Sequence, residues 1–152
     1  MDYPLRQNML YIDSRDRVTG TTTNFTINLD ESIRNVDHIT LIKATIPQSG
    51  LTNSEYHILR IPEFSPDAHG SNNILQQAFA VITPEEALGP THYVSNRPCP
   101  YYFRPVKARI NSLTLQLLNP DGSVASLSGG EILYTFAVYT RDIVPRSEKN
   151  VY

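Results

Sequence analysis

The chain has 152 residues, the usual length of one domain and long enough to bury a core without disulfide or metal staples. Hydrophobic residues at 40% and charged residues at 18% exclude disordered and collagen-like classes, and Cys99, the single cysteine, excludes an intrachain disulfide and a cysteine-based zinc cluster. Thirteen Lys and Arg against fifteen Asp and Glu give a formal net charge of -2, without the basic excess that phosphate backbones reward, so direct nucleic-acid binding is not expected. No stretch approaches the roughly 20 apolar residues needed to span a bilayer, and no continuous apolar run follows Met1, so neither a membrane span nor a secretion signal is expected.

Period-two alternation dominates the chain order. A first strand is expected at Met9 to Ile12, behind an N-terminal arm of residues 1–8 that carries Tyr3 and Leu5 as isolated anchors. Asp13-Ser14-Arg15-Asp16-Arg17 follows as a charged turn, and then Phe25, Ile27 and Leu29 alternate with Asn24, Thr26 and Asn28 as a half-buried strand. Val36 to Ile46 is apolar on both faces, with Ile42, Ala44 and Ile46 on one and Ile39, Leu41 and Thr45 on the other. It reads as an interior strand ended by Pro47.

Short strands are expected at Tyr56 to Ile61, around Ala78 to Ile82 and at Tyr101 to Phe103. Helix is scarce. Asn72 to Phe79 is one candidate, and Thr83 to Leu88 is a single turn with Thr83 as cap, Pro84 at the first position and Gly89 as the stop. Pro90 to Pro105 reads as a long extended loop. Ser112 to Leu118, the turn Asn119-Pro120-Asp121-Gly122 and a return through Val124 form the best hairpin, followed by a strong strand from Ile132 to Thr140. A polar C-terminal arm, residues 145–152, ends on Val151 and Tyr152.

The residues of catalysis are present but not assembled. His38, His57, His69 and His92 form no short-spaced pair, so no metal site is expected. Asp67 and His69 are a close acid and imidazole pair, in a turn beside Pro66 and Gly70. The glycine positions exclude both the phosphate-binding loop and the dinucleotide turn, and Cys99, between Pro98 and Pro100, has no neighbouring base. Ser126 to Gly130 lacks the first glycine of a nucleophile elbow and lies between strands. The expectation is no enzyme and no cofactor. What remains is the charged turn, whose Asp13, Arg15, Asp16 and Arg17 are able to pair locally or across an interface, and a run of cations, Arg97, Arg104, Lys107 and Arg109, with no acid between Glu86 and Asp121.

Leu10-Tyr11-Ile12 running into Asp13 to Arg17, the Asn24 to Leu29 strand, Val36-x-x-Ile39-x-Leu41, Ile46-Pro47-Gln48-Ser49 and Tyr56-His57-Ile58 form a pattern. So do Ile110 to Leu115, Asp121-Gly122 and Glu131 to Val138. The pattern resembles the small jelly-roll structural proteins of large tailless double-stranded DNA viruses and virophages, the penton and minor-capsid class. The resemblance spans roughly residues 9 to 60 and 108 to 140. It implies an architectural role in a virion, made in host cytoplasm. The implied partners are itself, as a homopentamer closing an icosahedral vertex, and the major capsid protein, with a spike or host receptor as a further partner.

Residue patterns alone give an all-β chain of about eight antiparallel strands with one or two short helical turns, a jelly-roll or simpler β-sandwich, in one domain with two arms. Candidate assembly residues are the anchors Tyr3, Leu5, Tyr101, Tyr102, Val151 and Tyr152 and the charges Asp13, Arg15, Asp16, Arg17, Arg97, Arg104, Lys107 and Arg109. The alternative is a receptor- or carbohydrate-binding jelly roll. A tyrosine patch on a lateral strand face favours assembly, and one at a loop tip favours ligand binding.

Overall fold

The computed structural model describes residues 4–47, 56–64, 68–83, 91–94, 99–127 and 129–141, the segment 91–94 by its backbone only. Strands β1 (Leu5–Asp13), β2 (Thr19–Gly20), β3 (Asn24–Ile46), β4 (His57–Arg60), β5 (Ala80–Ile82), β6 (Thr91–Val94), β7 (Tyr101–Leu118) and β8 (Leu133–Arg141) form one antiparallel sheet. Its order is β1-β8-β3-β7-β4-β5, with β2 and β6 added along β3. Helix among the described residues is limited to a 3-10 turn, Ser14–Asp16, and one α-helical turn, α1 (Asn73–Gln76).

Two long strands fold this sheet on itself. The C-terminal part of the 23-residue β3 pairs with β8 and β6, and β8 pairs with β1, which gives a half ordered β1-β8-β3-β6. The N-terminal part of β3 pairs with the C-terminal part of β7, and β4 and β5 follow, which gives a half ordered β3-β7-β4-β5. The halves meet through their inward rings, Phe25 against Tyr134 at 6.4 Å and Phe79 against Phe136 at 6.0 Å. Four strands facing four in this order form a jelly-roll β-sandwich.

The expected strands at Asn24 to Leu29 and Val36 to Ile46 are one strand, and its inward face changes phase along the way. Phe25 and Ile27 are buried, then Val36, then Ile39 and Leu41, then Ala44 and Ile46. The first change falls at Asn35, whose φ is 56°, a left-handed conformation that asparagine tolerates better than most residues. The next two fall at register shifts against β8, between Val36 and His38 and between Leu41 and Lys43. Each extra residue flips the side chains that follow it to the other face. Ile39, Leu41, Ala44 and Ile46 therefore all point inward, and Ile42 does not share their face as the plain alternation predicts.

Other differences are local. Residues 5–8, expected in the arm, begin β1 and pair with Arg141 to Val138 of β8. Val124 makes only an isolated bridge to Leu118, and β8 crosses to the other half instead of closing a hairpin with β7. The expected loop from Pro90 to Pro105 contains β6 and the first residues of β7. The helix expected at Asn72 to Phe79 is a single turn capped by Asn72, whose Oδ1 accepts from Leu75 N at 2.9 Å. It stops because Phe79 N donates to Leu59 O at 2.8 Å and the chain enters β5. The helical turn expected at Thr83 to Leu88 runs into residues outside those described.

Candidate functional site

Ser14, the centre of the charged turn, is fully buried. Its Oγ hydrogen-bonds Glu131 Oε2 and accepts from Ile132 N at 2.9 Å, while its own N–H donates to Ile132 O at 2.9 Å. Arg17 Nη1 reaches Glu131 Oε2 at 3.1 Å and Ser14 O at 2.8 Å. Asp13 caps the 3-10 turn by accepting from Arg15 N at 2.9 Å and pairs with Arg15 Nη1 at 3.0 Å. The motif thus staples the end of β1 to the start of β8, and three of its four charged candidates, Asp13, Arg15 and Arg17, are paired within the subunit, Arg15 on its surface. Asp16 is exposed and has no ion pair among the described residues.

Further along β1, Leu5, Met9 and Tyr11 are exposed, Tyr11 by 63%, and Leu133 stands beside them on β8. These residues occupy the outward face of an edge strand, where apolar groups are otherwise sparse.

The β7 candidates divide. Tyr101, expected as an interface anchor, is half-buried and packs against Phe64 at 5.5 Å and Phe103 at 5.2 Å, so it belongs to the core margin and not to the surface. Tyr102 faces outward, 41% exposed, with its ring 4.8 Å from His38 and 4.9 Å below the Arg104 guanidinium. Lys107 lies opposite Val36 in the ladder, and Arg109 lies opposite Arg34, a like-charged cross-strand pair. Arg34, Arg104, Lys107 and Arg109 have no ion pair among the described residues. Tyr3, Arg97, Val151 and Tyr152 lie outside the described residues.

Between these two edges lies a cluster that the sequence pattern did not reveal. Asp37 is the extra residue of a register shift, so it and His38 both leave the inward face. Asp37 is buried and accepts from His38 Nδ1 at 2.7 Å, from Arg141 Nε at 2.8 Å and from Arg141 Nη2 at 2.7 Å. Burial pushes its carboxyl up, but the hydrogen bonds and charges of His38 and Arg141 outweigh that and hold it below the usual carboxylate range. His38 stacks on Tyr139 at 4.2 Å and 15°, with Tyr102 on its other flank.

Both faces of the His38 imidazole are flanked by phenol rings. The cluster is a rigid charged and aromatic platform that ties β3, β7 and β8 together on the outer surface. The signal available in advance was an acid and a histidine inside an otherwise apolar strand, with Arg141 closing the strongest strand.

His57 is buried, its Nδ1 has no partner among the described residues, and burial lowers its pKa against a hydrogen bond to the Leu118 backbone. His69 is exposed, and Asp67 and the His92 side chain lie outside the described residues. No group of three His, Cys, Asp or Glu able to hold a metal occurs among the described residues, and no helix among them is long and apolar enough to cross a membrane. No family model matches the chain, and no curated protein matches it.

Proposed function

We propose that this chain is a virion structural protein, a penton or minor capsid subunit that assembles with copies of itself, as a homopentamer at a vertex, and with the major capsid protein. One observation carries the reading. The half ordered β1-β8-β3 continues into the first residues of β7, so the β1 edge and the cationic part of β7 lie on opposite sides of one subunit. Once the internal pairs are set aside, Asp16 and Asp30 remain together near the β1 edge, and Arg104, Lys107 and Arg109 remain along β7. Unlike patches on two sides of a subunit are what a heterologous, ring-closing contact requires. Leu5, Met9 and Tyr11 on one side and Tyr102 on the other supply apolar area for the same contact. Tyr102 sits on a strand face and not at a loop tip, which favours assembly over ligand capture.

The test is solution mass by light scattering over a protein concentration series at low and moderate salt, on the chain alone and with the major capsid protein. Assembly is expected, weaker at moderate salt because exposed charges are screened. K107E/R109E should shift the mass toward the monomer, and D16K/D30K in the same chain should restore it. A chain that stays monomeric under all conditions and also fails to bind the capsid partner refutes the reading.

A further inference from the structure

Ile110 is buried and Ile33 packs against the core, so their chain neighbours Arg109 and Arg34 lie on the outer face of the β3–β7 ladder. There the two arginines are direct cross-strand partners. Side chains opposite each other in an antiparallel pair stand about 4.5–5.5 Å apart at Cβ, and like charges at that spacing destabilise the pair. Lys107, next along the same face of β7, brings a third cation. Arg34, Lys107 and Arg109 are exposed and have no ion pair among the described residues. Of the nearby acids on β3, Asp37 is taken up by His38 and Arg141, and Asp30 and Glu31 make no ion pair with Arg34. On the other side of the arginines, Ser32 Oγ donates to Asn111 Oδ1, which occupies the acceptor of that amide and turns its Nδ2 into a further donor. The face thus presents a cluster of donors, two of which repel each other without internal relief.

We infer that the Arg34–Arg109 pair, with Lys107 and Asn111 beside it, binds a phosphate group, free or as a monoester. A guanidinium is a planar fork of donors that matches phosphate oxygens two at a time, and a tetrahedral oxyanion has oxygens enough to meet two forks at once. Its charge, close to two units, turns the repulsion between the arginines into attraction of both toward one centre. A carboxylate, with one charge and two oxygens, satisfies one fork and leaves the other arginine unrelieved. Lys107 adds a point charge and Asn111 a neutral hydrogen bond at the margin. The site shares cations with the proposed ring contact, but it rests on the cross-strand ladder and stands whether or not a ring forms.

Thermal melts of the full chain near neutral pH test it, with inorganic phosphate titrated against sodium chloride of equal ionic strength and with O-phosphoserine and acetate run in parallel. A dissociation constant on the order of 1 mM makes about 20 mM phosphate raise Tm by about 4–7 °C, along a curve that saturates. A saturable rise with inorganic phosphate or with O-phosphoserine supports the inference, and the tighter of the two identifies the free or the esterified source. R34Q and R109Q should each abolish the rise, and in chloride each should melt slightly above the wild type, because the like-charged pair is gone. No saturable rise with either phosphate, an equal rise with acetate, or a rise retained in both variants overturns the inference. A rise that grows with protein concentration at fixed phosphate also overturns it, because the anion is then acting through assembly and not on the single chain.

Discussion

Replacing Asp37 by Asn removes the charge around which the outer-face cluster is built while keeping its volume. The carboxylate is the acceptor for His38 Nδ1 at 2.7 Å and for two Arg141 nitrogens at 2.7 and 2.8 Å, and its side chain is only 6% exposed. Hydrogen bonds to charged groups contribute roughly 1.5–3 kcal/mol, and breaking a buried pair costs roughly 3–5 kcal/mol. Arg141, with its side chain 33% exposed, regains water when released, which puts the expected loss at the lower end, about 3 kcal/mol. For a domain of this length that is a drop in Tm of about 6–12 °C.

Urea unfolding followed by circular dichroism checks the figure, with an unchanged m-value required for a pure stability effect. The pH dependence is a second constraint. The folded carboxyl titrates below its ordinary 3.8, so its contribution is complete above that value and is lost as pH falls through the folded pKa. The gap between wild type and D37N should therefore not narrow until pH falls below about 4. A loss under about 1 kcal/mol, or a gap already closing at pH 5, refutes the assignment of Asp37 as the anchor of the cluster. Combining D37N with Arg141→Met should be clearly less than additive, because each variant destroys the same bonds.

Two further predictions concern buried polar groups. Because burial lowers the pKa of His57 below the ordinary 6.5, the unfolded chain takes up a proton first as pH falls, so stability should drop from about pH 6.5 downward by at most about 1.4 kcal/mol per pH unit. Denaturant midpoints measured from pH 7.5 to 5 should show that slope, and His57→Leu should flatten it. Tyr134 is fully buried, burial pushes its phenol up, and its hydroxyl has no partner among the described residues. Tyr134→Phe should then be neutral or stabilise by about 1 kcal/mol, and a loss above 1 kcal/mol in thermal melts would show that the hydroxyl is satisfied.

The fold class was legible because the alternation of Phe25, Ile27 and Leu29, and of Leu113, Leu115 and Leu117, is a local property that any half-buried strand must have. Strand partners were less so. Pro120 to Gly122 marks a turn, and local turn grammar cannot show that the following strand crosses to the other half to lie between β1 and β3. Among candidate site residues, Tyr102 and Arg104 stood out by composition, but Tyr101 did not separate from Tyr102. Which of two adjacent tyrosines faces outward depends on register against β3, and register is set by long-range pairing.

The phase of β3 links these failures to the function proposed. Had the strand kept strict alternation from Phe25, the side that buries Ile27 would continue through the odd positions, and Val36, Ala44 and Ile46 would face solvent. Asn35 and the two register shifts return those residues to the core, and each shift places two consecutive residues on the outside, Asp37 with His38 and Ile42 with Lys43. The apolar appearance of both faces in the sequence is thus one inward face read across its phase changes. The same irregularity brings a carboxylate and an imidazole side by side beneath Tyr102 and Tyr139, where plain alternation would put them on opposite faces. Bulges are kept where they re-aim a side chain, and here they anchor, through Asp37, the surface between the β1 edge and the cationic part of β7. That surface must stay rigid if the two sides are to meet copies of themselves in fixed geometry.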